Sequence, residues 1–106
     1  LDAVTALSGS GPAYIFYIIN ALIKVGESMG LSRLEAQQLT QHTIIGAELF
    51  SRGLDSHGLE SLIKKVTSKG GTTEEALKVF ESKGLNAIIE EAIIAAHKKS
   101  KEIGNS

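Results

Sequence analysis

Cysteine is absent, so a disulfide framework, a thiolate nucleophile and a zinc ribbon are all closed to this chain, and its composition fits a reducing compartment. Proline occurs once, at Pro12, and a chain so poor in proline can hold long helices. Neither sign of charge prevails: 11 Lys+Arg face 12 Asp+Glu, which argues against a generic footprint for nucleic acid or anionic membrane. The longest unbroken apolar run, Ala13 to Ile19, stops at Asn20. That is far short of the roughly 20 residues needed to cross a bilayer, so no transmembrane segment is expected. No basic stretch precedes an apolar one near Leu1, so no signal peptide is visible. What remains is 106 residues that are 42% hydrophobic, enough for the core of one small domain and too few for a second. The first residue is Leu1 rather than Met, which fits one piece of a longer polypeptide.

Glycine supplies the punctuation. Gly30, Gly53, Gly84 and Gly104 each follow an apolar periodic stretch, where a helix commonly ends in a left-handed residue. The spacing predicts an all-α fold of about five helices. The first opens at Gly11-Pro12 and runs to about Met29, with apolar residues on nearly every face. The second starts at Ser32-Arg33-Leu34-Glu35, a capping-box spelling, and continues to about Arg52. A third spans about Ser56 to Thr67. The fourth runs from Thr73 to about Ser82, entered through Thr72-Thr73-Glu74-Glu75, with Thr72 as the expected N-cap and Glu75 as its partner. The last runs from about Leu85 toward Ile103. Gly26 and Gly46 fall inside helices at a cost of about 1 kcal/mol each, which a close approach of two helices would offset. Two helices apolar nearly all round exceed what one chain of this size can cover, so a large self-association interface is expected; the competing reading is a compact monomeric bundle.

Two glycine-rich segments, Ser8-Gly9-Ser10-Gly11-Pro12 and Ser68-Lys69-Gly70-Gly71-Thr72-Thr73, lead directly into helix starts. Unpaired N–H groups and the positive end of the helix dipole suit such places to anions, although a flexible loop before a capped helix explains the same pattern. Neither is a P-loop, and no G-x-G-x-x-G follows an expected strand. His42, His57 and His97 lie on separate expected helices without metal-ligand spacing, so no metal site is expected. Glu74-Glu75 and Glu90-Glu91 are adjacent in sequence and diverge around a helix, which suits solvated faces and caps better than paired acid–base work.

The segments Asp2-Ala3-Val4-Thr5-Ala6-Leu7-Ser8-Gly9-Ser10-Gly11-Pro12-Ala13-Tyr14 and Val66-Thr67-Ser68-Lys69-Gly70-Gly71-Thr72-Thr73-Glu74-Glu75-Ala76-Leu77 resemble the C-terminal domain of the pyrroline-5-carboxylate reductases, and the resemblance extends from Leu1 to about Glu102. It implies that residues 1–106 are a helical dimerisation and substrate-binding domain, two copies of which interleave into a homodimer that assembles further in some members. It also implies an N-terminal Rossmann domain outside this chain, and a cytoplasmic enzyme that reduces 1-pyrroline-5-carboxylate to L-proline with hydride from NADPH or NADH. Without that domain the chain alone is expected to bind no nucleotide and to be inactive.

By motif position the resemblance makes Ser68, Gly70, Gly71, Thr72 and Thr73 the substrate-carboxylate loop, with the N–H groups of Gly71 and Thr72 and the hydroxyls of Ser68 and Thr73 as donors. Thr73 becomes the catalytic hydroxyl near the ring nitrogen. Ser10, Gly11 and Pro12 become part of the active-site wall. Lys69 departs from the proline found in many members, which loosens the loop and adds a positive charge. A non-catalytic helical self-association module, and the helical domain of another Rossmann-type dehydrogenase, are the alternatives; Ser-x-Gly-Gly-Thr-Thr at a helix start is the feature an association module does not need.

Overall fold

A computed structural model describes residues 1–104, and they are helical almost throughout. A short turn, α1 (Asp2–Val4), passes into a π-helical stretch, Thr5–Gly9, and five long helices follow: α2 (Gly11–Ser28), α3 (Arg33–Ser51), α4 (Ser56–Val66), α5 (Thr72–Ser82) and α6 (Leu85–Gly104). The five long helices fall within a residue or so of the expected spans. Gly30, Gly53 and Gly84 terminate their helices at positive φ, whereas Gly104 is the last residue of α6 itself.

The helix starts show how local chemistry fixes these boundaries. At Ser32 the expected capping box is complete: Glu35 N–H donates to Ser32 Oγ at 3.1 Å, and Ser32 N–H donates to Glu35 Oε1 at 2.8 Å. The Ser32 N–H, and after it the Ser32 hydroxyl, hold the Glu35 carboxyl below its ordinary value. Asp55 caps α4, accepting from Gly58 N–H at 2.8 Å.

The chain divides into two units. One comprises Ser8–Arg52, the hairpin of α2 and α3. Its tight point is Gly26, which is buried; a Cβ there would stand 3.3 Å from Ala36 Cβ. Close approach therefore explains this mid-helix glycine. It does not explain Gly46, beside which a Cβ would meet nothing within 4 Å. Next to Gly26 an open groove of about 220 Å³ is lined by Leu22, Val25, Met29 and Leu39 among others. The other unit comprises Leu1–Leu7 and the chain from Gly53 on. Here α5 packs on α6, α1 also packs on α6, and Ser100 Oγ donates to Asp2 Oδ1 at 2.8 Å.

The helical N-terminal segment differs from the expected glycine-rich loop: Ala3, Ala6 and Leu7 favour helix ahead of the glycines, Ala6 is buried and Asp2 is tied to α6. It also corrects the membrane argument. Helical structure from Asp2 to Ser28 covers 27 residues, with a mean hydropathy of 1.3 over an 18-residue window, and is long and apolar enough by length and composition to cross a membrane. Counting unbroken apolar residues missed this, since averaging tolerates isolated polar residues such as Asn20 and Lys24.

Burial is sparse. Ala6 and Ala36 are the buried hydrophobic residues among those described, Thr40 is the buried polar one, and no large side chain is fully buried. Phe16, Tyr17 and Phe50 are 68%, 80% and 79% exposed.

Candidate functional site

The segment between α4 and α5 is short and closed on itself. Helix α4 ends at Val66, and Thr67 Oγ1 turns back to donate to the Ile63 carbonyl at 2.6 Å. A turn follows across Ser68, Lys69, Gly70 and Gly71, in which Gly71 N–H donates to the Ser68 carbonyl at 3.0 Å. Its third residue, Gly70, has φ +76°, a left-handed value that only glycine adopts without strain. Lys69 holds the second position, the one proline favours in such turns. Gly71 is tight for another reason: a Cβ there would lie 3.2 Å from the Ser68 carbonyl oxygen.

The N-cap of α5 is Gly71, one residue earlier than the expected Thr72, and no side chain caps it. The expected pairing of Thr72 with Glu75 is therefore not formed. Glu74 reaches back instead, and Gly70 N–H donates to its Oε1 at 2.9 Å. Lys78 Nζ lies 3.7 Å from Glu74 and 3.6 Å from Glu75.

These bonds decide which donors the loop can offer. The N–H groups of Gly70 and Gly71 are both committed, to Glu74 and to Ser68. The expectation that Gly71 N–H faces an anion therefore gives way to a set further along the helix. The N–H groups of Thr72, Thr73 and Glu74 occupy the first turn of α5, where no intrahelical acceptor exists, and among the described residues nothing else accepts from them. The hydroxyls of Ser68, Thr72 and Thr73 are likewise unengaged, and all three residues are exposed. The positive end of the helix dipole adds to this arrangement. Chemically it is a short arc of N–H and O–H donors that would accept one carboxylate or phosphate oxygen pair.

The other glycine-rich segment is built differently. Ser10, half-buried, is the N-cap of α2, yet its side chain accepts no capping bond, and its backbone is in the right-handed helical region. Pro12 has no N–H, and Ala13 N–H already donates to the Ser10 carbonyl at 3.1 Å. This helix start, coming straight out of a π-helical stretch, thus has few donors to spare, contrary to the anion site expected there. Ser10, Gly11 and Pro12 belong to the α2–α3 unit, and Ser68 to Thr73 to the other.

The family model described as pyrroline-5-carboxylate reductase dimerisation matches residues 1–103. The pyrroline-5-carboxylate reductase of Pseudomonas aeruginosa is 45% identical over 103 residues, which cover 97% of this chain and 37% of that protein. The Synechocystis enzyme of the same name is 41% identical, covering 98% of this chain and 39% of its own length. Among solved structures, the pyrroline carboxylate reductase of Plasmodium falciparum, with NADP bound, superposes with a TM-score of 0.91 at 35% identity, covering 97% of this chain and 41% of that one. The pyrroline-5-carboxylate reductase of Coxiella burnetii gives 0.88 at 42% identity, covering 95% and 37%. This chain thus spans about two fifths of the length of the proteins it matches.

Proposed function

The chain belongs to the pyrroline-5-carboxylate reductase dimerisation family, and on that premise we propose that it supplies the subunit contact and the substrate-carboxylate loop of an enzyme reducing 1-pyrroline-5-carboxylate to L-proline, in the cytoplasm and as a homodimer. The observation that carries this reading is the open donor arc at the start of α5, beside a turn closed by Gly71 N–H on the Ser68 carbonyl and by Gly70 N–H on Glu74. The substrate carboxylate accepts from the N–H groups of Thr72 and Thr73 and from the Ser68 hydroxyl. Anchored there, the ring has one orientation, with its nitrogen toward the Thr73 hydroxyl.

A reduced nicotinamide, NADPH or NADH, supplies hydride to the ring carbon of the C=N bond when bound. By family resemblance the nucleotide is held by an N-terminal Rossmann domain outside this chain. The contribution of Thr73 is the matching proton: its hydroxyl donates toward the ring nitrogen as the adjacent carbon is reduced, and is reprotonated from solvent. For Ser10, Gly11 and Pro12, at the start of α2 in the other unit, the role of active-site wall rests on the family resemblance alone.

Steady-state kinetics of the full-length enzyme test this. Removing one preorganised transition-state donor lowers turnover by about 10²–10³, and Thr73→Ala is expected to fall in that range. Near-normal turnover and substrate affinity in that variant would remove the Thr73 hydroxyl from the chemistry and leave the backbone N–H groups of Thr72 and Thr73 as the loop's contribution.

A further inference from the structure

An acidic side chain beside an anion-binding loop needs an explanation. Glu74 is the third residue of α5, the position from which a carboxylate ordinarily reaches back to the N–H of the N-cap residue and neutralises the helix end. Here the N-cap N–H is already spent on Ser68. The carboxylate therefore bonds one residue earlier, to Gly70, at 2.9 Å. That bond ties the left-handed corner of the turn to the first turn of the helix. It consumes a donor outside the helix and leaves those of Thr72 and Thr73 open. Lys78, at 3.7 Å from Glu74, offsets part of the charge.

We propose that Glu74 is a positioning residue: its carboxylate latches Gly70 and so holds the Ser68–Thr73 turn in the form that presents the Thr72 and Thr73 N–H groups to a carboxylate-bearing substrate. The latch rests on the reading of this loop as the substrate-carboxylate site. It works through shape, and its negative charge acts against it, since an anion arriving at the loop meets a like charge. Glutamine at this position keeps the acceptor and removes the charge, and alanine removes both.

The full-length enzyme decides the matter through two measurements on Glu74→Ala and Glu74→Gln: the split of KM against kcat, and amide hydrogen exchange across residues 68–73. Loss of one such hydrogen bond corresponds to about tenfold in affinity. Glu74→Ala is thus expected to raise KM for pyrroline-5-carboxylate about tenfold, with kcat within about twofold and KM for NADPH unchanged, and to speed exchange in the turn. Glu74→Gln is expected to restore slow exchange and to bring KM to the parent value or below it. Wild-type exchange and KM in Glu74→Ala would overturn the latch, as would a Gln variant no better than Ala. If the parent enzyme does not reduce pyrroline-5-carboxylate at all, the functional reading has failed, and exchange alone then judges the latch: faster exchange in Ala reversed in Gln upholds it, and unchanged exchange overturns it.

Discussion

Thr72 and Thr73 sit side by side at the start of α5, and the sequence invites a division of labour in which one caps and the other reacts. The structure removes the first role, because Gly71 is the N-cap and no side chain bonds to it. Alanine at either position should therefore leave stability within about 0.5 kcal/mol of the parent, as surface changes away from special features do. Ser32→Ala provides the contrast, since its hydroxyl does cap α3, and it should cost about 1 kcal/mol. Urea titrations of the three variants check this, and a Thr72→Ala loss equal to that of Ser32→Ala would restore the capping role. Gly71→Val is a poor probe of anion access, because its Cβ already crowds the Ser68 carbonyl at 3.2 Å and the turn itself would shift. The residue types of the loop were legible from Ser-x-Gly-Gly-Thr-Thr. Which N–H groups stay open was not, because that depends on the closure of the turn at Gly70 and on the length of the Glu74 side chain. An acid at the third helical position was the one signal that pointed there.

Among the elements, helices with an explicit start and stop were readable and the one without was not. Helix α3 begins at a capping box and ends beside Gly53 at φ +77°, so local chemistry alone places both ends. The N-terminal segment Thr5–Gly9 is only five residues long and ends in the poor helix formers Ser8 and Gly9; Ala6 within it is buried, and α1 before it packs on α6, with Asp2 accepting from Ser100. A pH dependence follows from the α3 start. The Glu35 carboxyl is held below its ordinary value of 4.5 by its bonds to the Ser32 N–H and hydroxyl. A depressed folded value means that the stabilisation is present in full above the unfolded value and is lost as pH falls through the folded one. Acid titration followed by circular dichroism should then show a loss of helix below about pH 4.5 that is smaller in Glu35→Gln, and identical acid limbs would overturn it. The two mid-helix glycines separate by the same kind of argument. Gly26→Val forces a branched side chain against Ala36 and should cost about 1–3 kcal/mol, read as a lowered urea midpoint; an unchanged midpoint would mean that the α2–α3 contact yields at no cost.

At the scale of the molecule the deciding quantity is surface. The chain exposes 8684 Å², whereas a folded monomer of 11.2 kDa is expected to expose about 5,700 Å². The excess, about 3,000 Å² per chain or about 6,000 Å² for two chains, lies at the upper end of the total that obligate dimers bury. It is made of side chains such as Phe16, Tyr17 and Phe50, which are mostly exposed, around a core in which no large side chain is fully buried. An apolar helix such as α2 has the same surface whether it faces lipid or a second copy, which is why composition alone passes it as a possible span. Family membership favours the second copy. The chain is then expected to sediment at twice its 11.2 kDa mass at tens of micromolar, and its unfolding midpoint should rise with protein concentration, since only the folded state gains from association. Both measurements are needed, because an aggregate also sediments heavily but does not unfold and refold with a midpoint set by concentration. A well-folded monomer persisting at tens of micromolar, with a midpoint independent of concentration, would mean that these helices cover one another in solution and that the exposed apolar faces of α2 and α6 are not a subunit contact.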